Sequence, residues 1–166
     1  PKGLNKDLCD QIKGNAQLRR IIRFIKKWKN EKYANSVLDH EVPPSIGITY
    51  LACDHFFEVK SDEGENDLVS LQQTMVAIKN QFQLVYDGEQ LIQANITKKL
   101  PVEPRTDIFA KMKESSDDYG VTFYKRLSKA VQNLTDAVNV ESEHDAGVYV
   151  QRVFGADFII PEKKAL

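Results

Sequence analysis

A dense cluster of basic residues near the start of the chain is the feature best suited to chemistry. The segment LRRIIRFIKKWKN, residues 18–30, holds six positive side chains within eleven residues and no negative one. Lysine and arginine bind phosphate and carboxylate through charge-assisted hydrogen bonds. A basic helix face is often only a solvated surface, but such a face is usually stabilised by acidic residues four positions away. Their absence favours an anion-binding surface.

The spacing of apolar residues predicts that this segment is an amphipathic helix over residues 16–30. One broad arc of the helix is apolar and is predicted to face the core. Its members are Leu18, Ile21, Ile22, Phe24, Ile25 and Trp28. Arg19, Arg23 and Lys26 fall almost on one line on the opposite side, with Arg20 and Lys27 beside them.

The next segment, VPPSIGITYLACDHF, offers a second group that can bind an anion. Two prolines are typical of a helix entrance, so a helix is predicted over residues 45–58. The free N–H groups of a helix N-terminus bind phosphate, and Ser45 adds a hydroxyl there. If the two helices are neighbours, Lys26 opposite Ser45 would give a phosphate one full charge, a hydroxyl and a helix dipole.

The remaining patterns predict a mainly α fold, a bundle of about six or seven helices with one small β-hairpin at about residues 83–96. All 166 residues are expected to form a single domain. Further helices are predicted over 5–13, from Leu68 to Phe82, from about Thr106, across Phe123 to Val138, and over 142–153. The acidic stretch KSDEGEND is predicted to be a loop.

Composition narrows the function further. A net charge of -1 argues against a general nucleic-acid binder, so any anion site must be local. The chain has neither the P-loop pattern nor the dinucleotide-binding fingerprint, and no residue spacing typical of a zinc site. Cys9 and Cys53 are expected to be reduced, with Cys53 and His55 as two separate residues. No apolar run is long enough to span a membrane, and a cytoplasmic location is expected.

The order of these segments resembles the C-terminal helical lobe of the bacterial CD-NTases. These enzymes are the cyclic nucleotide and oligonucleotide synthases of CBASS-type anti-phage defence, relatives of cyclic GMP-AMP synthase and oligoadenylate synthetase. The similarity begins at PKGL and continues through LRRIIRFIKKWKN and VPPSIGITYLACDHF. It extends over LPVEPRTDIF to VFGADF, so that it covers residues 1 to about 158 in the family's order.

The resemblance implies that catalysis belongs to a different lobe. In that family an N-terminal palm carries a Gly-Ser motif and three carboxylates, which hold two magnesium ions. This chain contains no Gly-Ser and no Asp-x-Asp, and it starts at Pro1 rather than Met. We therefore expect this chain to be part of a longer nucleotidyltransferase. It is expected to supply no catalytic residue and no metal ligand, and to be inactive alone.

The same resemblance implies that Lys26 and Ser45 bind the triphosphate of a nucleotide, ATP or GTP. Arg23 and Lys27 would give electrostatic support. Some relatives carry an aromatic residue directly after the serine, where this chain has Ile46. The implied partners are the palm lobe and proteins of a defence operon, with no membrane and no nucleic acid. One alternative is a free-standing helical module that binds a nucleic-acid backbone through Arg19, Arg20, Arg23, Lys26 and Lys27. The other is a protein-interaction module whose basic face binds an acidic partner protein.

Overall fold

A computed structural model describes residues 8, 10–114 and 117–165. Its longer helices are α1 (Ala16–Lys32), α2 (Ser45–His55), α3 (Asp67–Lys79), α4 (Val121–Asn139) and α5 (Glu143–Phe154). One antiparallel hairpin pairs β1 (Lys60–Ser61) with β2 (Gly64–Glu65), and a second pairs β3 (Gln83–Asp87) with β4 (Gln90–Asn95). The predicted mainly α class is therefore confirmed.

Helix α1 lies at the centre of the bundle and contacts α2, α3 and α5. Asn15 caps its start, because the side-chain oxygen accepts a hydrogen bond of 3.0 Å from the Leu18 N–H. The predicted apolar arc is buried apart from Phe24, which is half-buried against the ring of Phe154. Trp28 has no exposed surface. Because the apolar arc is packed in the core, α1 cannot rotate about its axis, and the direction of its basic face is fixed.

Helix α2 ends at His55, three residues before the predicted end. Beyond it, the backbone makes hydrogen bonds with side chains of other elements instead of continuing the helix. The Phe57 N–H donates to the Thr74 hydroxyl at 3.0 Å, and the Val59 N–H donates to the Gln17 side-chain oxygen at 3.0 Å. These tertiary contacts are invisible in the local sequence pattern.

The acidic stretch after α2 is not the loop that its composition predicts. Residues 60–65 form the small β1–β2 hairpin, and α3 follows at once with Asn66 as its N-cap. This arrangement places the acidic side chains of Glu65 and Asp67 beside α1. Helix α3 ends at Lys79, so that the predicted end at Phe82 is wrong, although Phe82 is buried.

The hairpin predicted over residues 83–96 is present as β3 and β4. Asp87 pairs with Gln90, so the turn residues are Gly88 and Glu89, and Gly88 takes a positive φ of 60°. The helix predicted from Thr106 is a 3₁₀ turn over Ala110–Lys113. Helices α4 and α5 match their predicted positions, and the predicted helix over 5–13 is described only in part, with residues 10–13 helical.

Candidate functional site

Helices α1 and α2 are neighbours and run in opposite directions. The Lys29 ammonium donates a hydrogen bond of 2.8 Å to the Ser45 hydroxyl, where α1 ends and α2 begins. At the other end of the helix pair, the side chain of Gln11, which precedes α1, donates to the backbone carbonyl of Cys53 near the end of α2 at 3.3 Å. The arrangement that the anion site requires, a basic helix beside the start of the next helix, is therefore present.

The lysine that meets Ser45 is Lys29 and not Lys26. In an antiparallel pair, the first residue of α2 must lie beside the last turns of α1, and Lys26 lies one helical turn earlier. Lys26 instead lines a groove of about 330 Å³ together with Arg23 and Thr49. The structure thus adds Lys29 as the lysine that contacts Ser45, and the predicted role of Lys26 stays a prediction.

The start of α2 presents unbonded donors to solvent. Pro44 precedes the helix, and no side chain caps it. Ser45 and Ile46 are exposed, whereas the helix from Gly47 to Cys53 is buried. The first N–H groups of an α-helix have no partner within the helix, and the helix dipole adds partial positive charge there. An anion at this end would accept these hydrogen bonds.

Close packing fixes the position of this helix start. Gly47 faces the ring of Phe109, and a Cβ atom at Gly47 would lie 2.6 Å from the ring carbon Cζ. Only glycine permits this approach without displacing the helix. The Ser45 hydroxyl is therefore presented from a rigid element.

The site is electrostatically positive. Partial burial lowers the pKa of the Lys29 ammonium, and the charge of Lys26 lowers it further. Two cations close enough to repel each other favour a bound anion, because an anion screens both charges. The geometry can therefore bind a phosphate group through ammonium, hydroxyl and main-chain donors.

The first half of the basic face is occupied by other parts of the protein. The Arg20 guanidinium donates to Asp67 at 2.7 Å and also bonds to Glu65. These bonds raise the pKa of Arg20 and lower that of Asp67. The Arg19 guanidinium donates to the carbonyls of Ile12, at 3.1 Å, and Lys13, at 2.6 Å.

The two supporting residues occupy different positions. Arg23 is exposed and lines the same groove as Lys26. Lys27 is exposed too, but one residue further along a helix turns about 100° away from Lys26. Lys27 can therefore support an anion at Ser45 only through its long-range field.

The cysteine and histidine of α2 do not form a reactive pair. Cys53 is a free, buried thiol, and burial is the main cause that raises its pKa to about 11. Burial lowers the pKa of the half-buried His55. Cys9 lies outside the described residues. Within the described ranges, no group of three or more His, Cys, Asp or Glu side chains could hold a metal ion.

Lys29 is the residue that the sequence analysis missed. It belongs to the same basic segment, but the sequence pattern does not show which lysine of that segment lies level with the start of α2. No protein-family model matches the sequence, and no curated protein matches it. In the described part of the chain, no helix combines the length and apolar character needed to cross a membrane.

Proposed function

We propose that this chain is the helical lobe of a nucleotidyltransferase that makes a cyclic nucleotide signal in anti-phage defence. Its part is to bind the triphosphate of an incoming ATP or GTP at the junction of α1 and α2. The two magnesium ions and the catalytic carboxylates belong to the palm lobe of such an enzyme. The proposal is supported by the ordered resemblance of five segments to the CD-NTases and by the chemistry of the junction.

The contact between Lys29 and Ser45 carries the proposal. A hydroxyl beside an ammonium, at 2.8 Å, stands at the uncapped start of an eleven-residue helix. A terminal phosphate placed there would accept hydrogen bonds from the Lys29 ammonium, the Ser45 hydroxyl and the main-chain N–H groups. Lys26 and Arg23 would hold the next phosphate along the groove that they line.

The occupied arginines weaken the rival proposal of a nucleic-acid module. That module would use five cations of the basic face, but the charge of Arg20 is already paired with Asp67 and Glu65, whereas Arg19 bonds to two carbonyls and keeps its charge. A backbone-binding surface depends on the number of free cations, because each releases counterions from the polyanion. The groove that Lys26 and Arg23 line has a volume of about 330 Å³, which suits a compact triphosphate better than an extended strand.

The proposal is tested by calorimetric titration of the chain with magnesium ATP. We expect Lys29→Ala to weaken binding about tenfold or more, because one charge-assisted hydrogen bond is lost. Ser45→Ala should have a smaller effect in the same direction. Lys125→Ala is the matched control, since Lys125 is an exposed lysine on α4. Equal affinities of Lys29→Ala and the wild-type chain would contradict the proposal.

A second test concerns the parent protein. If the proposal is right, the coding sequence upstream of this chain continues into a Gly-Ser motif followed by an Asp-x-Asp pair. An upstream reading frame without these motifs would contradict the assignment to a nucleotidyltransferase, while the anion site could still be measured by the titration.

A further inference from the structure

A second basic cavity lies between α1, α4 and α5, away from the Ser45 hydroxyl. It has a volume of about 590 Å³ and is lined by the cations Lys32, Arg126, Lys129 and Arg152. Neither Lys29 nor Ser45 lines it. Cavities of a few hundred Å³ are the usual size of small-molecule sites.

No carboxylate lines this cavity, and none of its four cations forms an ion pair with a described carboxylate. Glu31 and Glu41 lie in an adjoining groove that also contains Lys32 and Arg126. Carboxylates therefore lie near Lys32 and Arg126, but the charged side chains that line the cavity itself are the four cations.

Two of the cations have a structural role that does not use all their donors. The Arg126 guanidinium donates to the Lys32 carbonyl at 2.7 Å, and the Lys32 ammonium donates to the Arg152 carbonyl at 2.7 Å. These bonds satisfy carbonyls at the ends of α1 and α5, where cations also offset the helix dipoles. A guanidinium has five N–H donors, so most of those on Arg126 remain free of this role.

Aromatic rings hold both guanidinium groups in place. Arg126 lies over the ring of Tyr33 at 4.4 Å from the ring centre, and Arg152 lies over Tyr149 at 4.9 Å. Such stacking fixes the plane of a guanidinium and leaves its edge available for paired hydrogen bonds to phosphate or carboxylate oxygens. The cavity is therefore organised for a planar, forked contact with an anion.

We propose that this cavity binds a small organic polyanion that carries two or more phosphate groups. Two guanidinium and two ammonium groups around one concave volume match several phosphates held close together. A concave site enclosed by three helices suits a small molecule, whereas an extended nucleic acid requires an open, continuous surface. This site is separate from the triphosphate contact at Ser45 and does not depend on it.

The test is a titration with inorganic tripolyphosphate, followed by calorimetry, in the Lys29→Ala background so that the Ser45 site is weakened. We expect the double substitution Lys129→Gln and Arg152→Gln to lower the affinity about tenfold or more. Both residues are exposed, so the fold should tolerate the change. Lys125→Gln, which removes one positive charge about one helical turn from Lys129 on α4, should change the affinity less than about twofold.

Three results would overturn the proposal. The first is no saturable binding of tripolyphosphate, and the second is an equal loss of affinity in the Lys125→Gln control. The third is tighter binding of a 20-nucleotide DNA than of tripolyphosphate with the same dependence on Lys129 and Arg152. That last result would assign the surface to nucleic acid instead.

Discussion

The two halves of helix α1 carry the same kinds of basic residue and use them differently. In the first half, Arg20 bonds to Asp67 and Glu65 and ties α1 to the acidic segment before α3. In the second half, Lys29 reaches the hydroxyl of Ser45, and Lys26 lines a groove with no carboxylate among its lining residues. A cation with a carboxylate partner stabilises the fold, whereas a cation at a hydroxyl and a helix start can still bind a ligand.

The largest expected effect lies in the first half and concerns Gln17, which has no exposed surface. Its side chain exchanges two hydrogen bonds with Val59 and donates one to Asp67. Gln17→Leu leaves the half-buried Val59 N–H without its partner, while the Val59 carbonyl keeps a hydrogen bond of 2.9 Å from the Asn66 N–H, so we expect the free energy of unfolding to fall by about 1–3 kcal/mol. Chemical denaturation measures this change.

The control for this variant is Gln132→Leu, because Gln132 is exposed and bonds to Asp136 on the same helix. Its effect should stay within about 0.5 kcal/mol. The affinity of folded Gln17→Leu for magnesium ATP should equal that of the wild-type chain. If the two glutamine variants lose the same stability, the first half of α1 does not have the structural role assigned to it.

A smaller loss of stability is expected for Asp67→Ala, which removes the carboxylate partner of Arg20. The pair is partly exposed and screened by solvent, so we expect a loss of about 1 kcal/mol at neutral pH. Asp62→Ala is the control, since Asp62 is an exposed aspartate in the turn of the first hairpin. Asp67→Ala should leave the affinity for ATP unchanged. A loss of that affinity would contradict the division of α1 into a structural half and a ligand-binding half.

The stability difference between the wild-type chain and Asp67→Ala should also depend on pH. The hydrogen bond from Arg20 holds the pKa of Asp67 below its usual value. Its stabilising effect is therefore complete above the ordinary aspartate pKa of about 3.9 and is lost as the pH falls through the lower, folded value. Denaturation at pH 6 and pH 3 should show the gap closing, and a gap that widened in acid would contradict this explanation.

The smallest effect is expected in the second half, from the ionisation of Lys29. Its pKa is lowered, so the ammonium loses its proton at a pH below the ordinary lysine range. The affinity for tripolyphosphate, measured with Lys129→Gln and Arg152→Gln in place so that the second cavity is weakened, should therefore be highest near neutral pH and fall by a few fold as the pH approaches 10. The Lys29→Arg variant keeps its positive charge up to pH 10, so the affinity of this variant for tripolyphosphate should fall less over the same pH range. Parallel curves for the two proteins would show that Lys29 does not contact the anion.

Much of the fold could be predicted from local patterns. The 3.6-residue periodicity of Leu18 to Trp28 located α1, and the apolar spacing from Phe123 to Val138 located α4, because amphipathic helices bury one face regardless of their partners. The end of α2 and the hairpin at residues 60–65 could not be predicted. The end of α2 depends on hydrogen bonds of Phe57 and Val59 with Gln17, Ser70 and Thr74, which are distant in sequence. The hairpin has strands of two residues each, too short to show an alternating pattern.

The candidate site was predicted in type but not in every residue. The basic segment and the Pro-Pro-Ser entrance indicated an anion site, and the two helices are indeed neighbours. The contact between Lys29 and Ser45 was not predicted, because helix periodicity fixes a face and not a level along the axis. The partners of Arg20 were also missed, since Glu65 and Asp67 lie more than forty residues away in the sequence.

An anion should bind where α1 ends and α2 begins, and an NMR titration with magnesium ATP shows whether it does. We predict that the backbone amides of Ser45, Ile46 and Gly47 shift most, while those of Glu65 and Asp67 stay in place. Millimolar ATP that leaves the three α2 amides unmoved, or that shifts Glu65 and Asp67 more, would contradict the account.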